Sequence, residues 1–221
     1  MTVWALIPVK SFEEAKSRLG RWLPDAHRDE LARAMYKDTL AALAAASRIE
    51  KIAVVTSHPD AQAIATQAGA QCLQDPGLGL NAALEAGRSG LLSLGASIVA
   101  VFPSDIPALC PTDADTVIRA GREGHTAVIA PDHLRAGTNA LLLHDNMQRR
   151  YSFGPDSLEA HKRLARQEGC PMRTLNLRTI ECDCDTPEDF LRLAAVPPGK
   201  FTTRSLENLK PAPQGSVRFA R

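Results

Sequence analysis

Two aspartates that close separate apolar runs are the residues best suited to chemistry in this chain. Asp105 stands in "FPSDIPAL", just past the β-branched run 97–102, with prolines on both sides to stiffen the turn. Asp183 stands in "ECDCDTPEDF", at the end of the run 172–180. A carboxylate fixed at a strand terminus can hold Mg2+, which takes one or two carboxylates and fills its remaining positions with phosphate oxygens and water. A complementary set of cations, Lys10, Lys16 and Arg18, lies in "PVKSFEEAKSRLG", straight after the first apolar run. Ammonium and guanidinium groups there would suit polyphosphate oxygens. Two acidic strand ends together with a basic loop fit metal-assisted phosphoryl or nucleotidyl transfer. The competing readings are structural. Lys16, Arg18 and Arg21 would be solvated residues paired with Glu13 and Glu14, and Asp105 would cap its turn or the helix that begins near Pro111. Asp185 lies two residues beyond Asp183 and points the same way in an extended chain. "DTPED" is itself a helix start, with Thr186 or Asp185 as cap and Pro187 in the first turn, so Asp185 is assigned to structure ahead of Asp183.

A second group of polar residues sits further along. Gly137-Thr138-Asn139 supplies a flexible turn with a hydroxyl and an amide ahead of an apolar strand. "FGPDSLEAH" then opens a helix, in which Asp156 and Glu159 have capping-box spacing and Ser157 offers a hydroxyl and a backbone N–H in the first turn. Such a terminus can seat a carboxylate or phosphate; ordinary turn and cap chemistry is the alternative. His161 lies one turn from Ser157 and carries little weight alone, and no Ser-His-Asp or Cys-His arrangement can be argued. The GxxxxGK[ST] and GxGxxG phosphate loops are absent, so a bound nucleotide would rely on charged side chains and the amides of a longer loop.

The elements that must position these residues follow from periodicity. Strands are predicted at 3–8, 51–56, 70–74, 97–102, 126–130, 139–143 and 172–180, and helices at 26–46, 59–68, 80–94, 112–123, 157–168 and 187–195. This alternation predicts an α/β fold, a mostly parallel sheet with helices on both faces and ligands along the carboxyl edge of the strands. Residues 1–196 form the expected domain. From Pro197 the chain loses periodicity and gains Pro, Gly and basic residues, so 197–221 is expected to be an appended, mobile tail.

Composition narrows the class further. A formal charge of +1 argues against a general nucleic-acid binder, so any anion site is local. Five Cys without CxxC pairs suggest neither a disulfide framework nor a zinc ribbon. No signal-peptide pattern and no apolar run of membrane-spanning length is present, and the expected location is the cytoplasm.

Taken in order, "IPVKSFEEAKSRL", "FPSDIPAL", "GTNALLL", "FGPDSLEAHKRLA" and "CDCDTPEDF" resemble the 2-phospho-L-lactate guanylyltransferase family of coenzyme F-420 biosynthesis, whose bacterial members act on phosphoenolpyruvate or 3-phosphoglycerate. The resemblance spans roughly residues 3–195. It implies a three-layer α/β/α, Rossmann-like nucleotidyltransferase fold, Mg2+ as cofactor, and GTP with a phosphorylated three-carbon acid as partners; a homodimer is left open. By position it implies Asp105 and Asp183 as metal carboxylates and Thr138, Gly154 and Ser157 as contacts to the acid. It implies Lys10, Lys16 and Arg18 facing the GTP phosphates, with Asp105, Lys10 and Lys16 catalytic. The rival readings are another nucleotidyltransferase, of molybdopterin or sugar-phosphate type, and a non-catalytic nucleotide-binding module. The sugar-nucleotide variant is weakened because the first loop reads "PVKSFEEAKSRL" where those enzymes have GxGxR.

Overall fold

A computed structural model describes residues 1–13, 15–147 and 150–209. Seven strands form one sheet: β1 (Val3–Pro8), β2 (Lys51–Thr56), β3 (Gln71–Gln74), β4 (Ile98–Val101), β5 (Ala127–Pro131), β6 (Thr138–His144) and β7 (Met172–Thr174). The helices are α1 (Asp25–Ala45), α2 (Pro59–Gln67), α3 (Leu80–Ser93), α4 (Pro111–Arg122), α5 (Ser157–Gln167), α6 (Pro187–Leu193) and α7 (Lys200–Asn208). The strand order is β3-β2-β1-β4-β6-β5-β7.

The central strands are apolar almost without interruption because both of their faces are covered. Successive residues alternate between two cores. Ile7 packs with Tyr36 of α1, Ala61 of α2 and Val117 of α4. Leu6 packs with Leu84 of α3 and Leu158 of α5 on the other side. The expected three-layer, mostly parallel architecture is therefore what the chain adopts. Among the described residues no helix is long and apolar enough to cross a membrane.

Three local features add to or correct the expected elements. First, β6 runs antiparallel to both β4 and β5. Only residues 132–137 separate β5 from β6, too short a connection for a crossover helix, so the chain returns as a hairpin. This reversal puts the start of β6, Thr138 and Asn139, at the same edge as the ends of β1 and β4.

Second, the strand predicted over 172–180 ends at Thr174. The chain turns at Leu177–Ile180, where the N–H groups of Ile180 and Glu181 both bond to Leu177 O. It then crosses the ends of β5 and β6, tied there by Asn139 Nδ2 to Ile180 O at 2.9 Å and His133 N to Glu181 O at 3.0 Å.

Third, the region expected to be a mobile tail carries α7, packed on α1. Its N-terminus is capped from a distance: the buried carboxylate of Asp38 on α1 accepts the N–H groups of Phe201 at 3.0 Å and Thr202 at 2.7 Å. The helix was illegible because its buried residues, Thr202 and Ser205, are polar. The expectation of a tail over 210–221 falls outside the described residues.

A Cβ at Gly199 would collide with the carboxylate of Asp38, so only glycine allows this approach. Gly199→Ala is expected to lower the stability read by urea denaturation by about 1–3 kcal/mol, the cost of forcing atoms into a filled space. Wild-type stability in that variant would show that α7 does not depend on the Asp38 cap.

Candidate active site

The basic loop between β1 and α1 is held down by its apolar residues. Phe12 and Leu19 are buried, and Leu19 packs with Leu31, Met35, Cys182, Cys184 and Leu193 in a small third core below the sheet edge. That core also explains the acidic segment. With Cys182 and Cys184 turned inward, period-two alternation leaves Asp183 and Asp185 on the other side, although no strand is present there.

Lys16 adopts a left-handed backbone (φ 57°) before a 3-10 turn at Ser17–Leu19, and its side chain is 4% exposed. Its Nζ lies 2.6 Å from Asp105 Oδ2 and 2.8 Å from Asp185 Oδ1. Burial works against the charged ammonium, but the two carboxylates outweigh it and hold the pKa above the ordinary lysine value. For Asp185 burial opposes ionisation, and Lys16 followed by Arg18 overcomes it, so its carboxyl titrates below the usual range.

Asp183 has the opposite balance. Burial first, and the charge of Asp105 second, push its pKa up to about 6, against a smaller opposing contribution from an Asn139 hydrogen bond. Its Oδ1 is buried without a hydrogen-bond partner. A repelled carboxylate pair with an unsatisfied oxygen is what a hard divalent cation would relieve, so these residues fit Mg2+. Among the described residues no three His, Cys, Asp or Glu side chains gather as a metal cage, so phosphate oxygens and water would complete the shell.

The loop cations therefore separate. Lys16 is buried among acids and is not paired with Glu13, whose carboxylate faces His58 Nε2 at 3.1 Å. Arg18 is largely exposed, 3.6 Å from Asp185. Lys10 is exposed and lines a cavity of about 130 Å³ together with Lys16, Asp105 and Asp185. Asp185 belongs to this site and not to the cap. Asp189 takes the N–H groups of both Asp185 and Thr186 on one oxygen, and Thr186 closes the capping box of α6. Asp105 does not cap α4 either, since that position is Cys110.

On the β6 side Thr138 and Ser157 come together and Gly154 borders them. The Ser157 hydroxyl donates to Thr138 Oγ1 at 3.2 Å. Ser157 is buried, and its N–H bonds to Gly154 O at 3.2 Å, so the expected open donor pair is already engaged. The Asp156–Glu159 capping box is likewise absent: Asp156 is left-handed (φ 53°) without a side-chain cap, and Glu159 turns to Lys162 at 3.0 Å. Gly154 has φ 135°, a conformation closed to side chains, which keeps backbone exposed there.

His161 gains a role that its isolated occurrence did not suggest. Ser152 N–H donates to His161 Nε2 at 3.0 Å, so in the neutral ring the proton is on Nδ1, 3.2 Å from Thr138 Oγ1. Thr138 Oγ1 thus accepts from Ser157 and His161, and its own proton is left to donate. The only signal for this in sequence was the one-turn spacing from Ser157 to His161.

A doubly covered sheet whose carboxyl edge combines carboxylates, a buried lysine and a hydroxyl cluster defines a nucleotidyltransferase of the Rossmann-like α/β type. A solved structure described as a putative nucleotide-diphospho-sugar transferase from Desulfovibrio desulfuricans G20 superposes with a TM-score of 0.74, over 94% of this chain and 95% of that one, at 18% identity. The model of the "Guanylyl transferase CofC like" family matches residues 3–213, and the chain belongs to that family. It is 39% identical over 195 residues to the phosphoenolpyruvate guanylyltransferase of Rubrobacter xylanophilus, covering 88% of this chain and 95% of the relative. It is also 33% identical over 211 residues to the 3-phospho-D-glycerate guanylyltransferase of Phenylobacterium zucineum, covering 93% and 96%.

Proposed function

We propose that this guanylyltransferase moves GMP from GTP to the phosphate of a three-carbon phospho-acid, with release of pyrophosphate, in the cytoplasm and as a step of coenzyme F-420 biosynthesis. The observation that carries the reading is the meeting, at one sheet edge, of the carboxylate cluster around Lys16 with the Thr138 hydroxyl cluster, in a chain whose relatives are named for this reaction. Five free cysteines suit a reducing compartment.

A phosphate monoester has a second pKa near 6, so the attacking group is already ionised at neutral pH. No base is needed, and the work of the protein is to bring two anions together and stabilise the leaving pyrophosphate. Asp105 and Asp183 would hold Mg2+, which when bound supplies positive charge to the phosphate oxygens of the nucleotide. Lys16 offers its ammonium at the same edge, and Lys10 and Arg18 add mobile positive charge around it. Thr138 directs its hydroxyl proton at the acid, held in that orientation by His161 and Ser157.

Phosphoenolpyruvate, 3-phosphoglycerate and 2-phospholactate share a carboxylate and a phosphate, so the competing acids must be compared directly. With all three present and GTP limiting, mass spectrometry is expected to show a guanosine-diphospho-linked phosphoenolpyruvate as the main product, given the better match to that relative. A product formed only with another nucleotide, or from a sugar phosphate, would refute the reading.

A further inference from the structure

A second cavity, of about 340 Å³, opens over the ends of β2 and β3. Its walls include Lys10, Ser11, His58, Asp75, Gly77 and Gly79. Lys10 and Ser11 also line the smaller cavity over Lys16 and Asp105, so the two spaces adjoin. A volume in this range suits a small ligand. The strand order places it on the opposite side of β1 from β6 and the Thr138 cluster. If the acid sits by β6 and the phosphates by Lys16, the rest of the nucleotide extends over β2 and β3.

Asp75 is the one carboxylate among the described residues that line this cavity. It is half-buried, and its Oδ1 accepts the N–H of Gly77 at 2.8 Å, which fixes the plane of the carboxylate. Gly77 and Gly79 adopt φ of 75° and 97°, and a Cβ on either would meet nothing within 4 Å, so these glycines leave room beside the carboxylate. Asp75 Oδ2 and the second lone pair of Oδ1 remain to accept two adjacent donors. Among the common bases only guanine presents two adjacent donors, N1–H and the N2 amino group, on its pairing edge. Adenine and cytosine place an acceptor beside their donor, and uracil flanks its single donor with two acceptors.

We infer that this cavity receives the purine of the nucleotide and that Asp75 selects guanine by accepting from N1–H and N2–H. The inference rests on the guanylyl-transfer reading for the choice of ligand, but it concerns binding and is tested by binding. The full chain with Mg2+ is titrated calorimetrically with GTP, with inosine triphosphate, which lacks the 2-amino group, and with xanthosine triphosphate, which has a carbonyl there. The wild type is expected to bind inosine triphosphate about 10-fold more weakly than GTP, and xanthosine triphosphate more weakly still. In Asp75→Asn the amide offers one donor and one acceptor, which matches xanthine. GTP affinity is expected to fall on the order of 10- to 100-fold, and xanthosine triphosphate to become the better ligand. Equal affinity of the wild type for GTP and inosine triphosphate would overturn the assignment even if the variant failed to fold. An unchanged order of ligands in a folded Asp75→Asn would do the same. The expected binding pattern without pyrophosphate release from GTP in the presence of any of the acids would uphold the guanine site and refute the transfer reading instead.

Discussion

Asp183→Asn is expected to make the ligand-free protein more stable at neutral pH while removing its transferase activity. The two effects share one cause. Burial and the charge of Asp105 lift the Asp183 pKa to about 6, against an ordinary value of 3.8, so at pH 7 the folded state holds a carboxylate that it disfavours. The difference of about 2 pKa units corresponds to about 2–3 kcal/mol. Because the folded pKa is the higher one, the folded protein keeps this proton longer than the unfolded chain does. The contribution of Asp183 to stability therefore declines as pH rises from about 4 to about 6 and stays at its minimum above that window. An amide cannot ionise, and it preserves the size of the side chain. Urea denaturation should thus show little difference between variant and wild type near pH 4 and the full gain near pH 7.5. Mg2+ alone should stabilise the wild type at pH 7.5 and leave the variant unmoved, while transfer falls by at least about 100-fold. A variant no more stable than wild type at either pH would remove the electrostatic conflict from this account, and full activity would remove Asp183 from the site.

That conflict was only half visible in the sequence. Strand ends can be read from apolar runs and prolines, and these alone put Asp105 and Asp183 at one edge. What lifts the Asp183 pKa is burial first and the proximity of Asp105 second, and both depend on how the segment after β7 crosses the sheet. That crossing was hidden because Leu175 and Leu177 continue an alternating pattern after pairing has stopped; both pack against the core from outside a strand. Asp185 was assigned to structure because "DTPED" offers two plausible caps. The decision belongs to Asp189, whose single oxygen takes both N–H groups and leaves the Asp185 carboxylate to Lys16. The direction of β6 followed from loop length more than from composition, yet it alone brings Thr138 to the functional edge. The pairing of His161 with Thr138 joins residues 23 apart on separate elements, and no local pattern encodes it. The helix over Lys200–Asn208 was missed for a related reason, since its cap lies on α1 and its inward face is polar.

The largest combined loss is expected from Lys16→Met. The ammonium is the common partner of Asp105 and Asp185, and without it three carboxylates remain near one another with no buried cation. The stability cost should be about 2–3 kcal/mol. This is below the upper range for a broken buried pair, because the side chains of Asp105 and Asp185 keep 30% and 40% exposure. Transfer should fall by about 100- to 1,000-fold if the same ammonium stabilises charge on the phosphates. Stability loss by itself could explain poor activity, so the second step is Lys16→Met combined with Asp185→Asn. Removing one cation and one anion restores the charge balance of the cluster, and a buried ion pair replaced by neutral groups of similar size is often tolerated. The double variant is expected to regain most of the lost stability, with non-additivity that marks the two side chains as coupled. Its transferase activity should stay low if Lys16 serves the phosphates as proposed, because neither methionine nor asparagine can return its positive charge. Recovery of activity along with stability would reduce Lys16 to a counter-charge for Asp185 and leave stabilisation of the phosphates to Lys10, Arg18 and the metal.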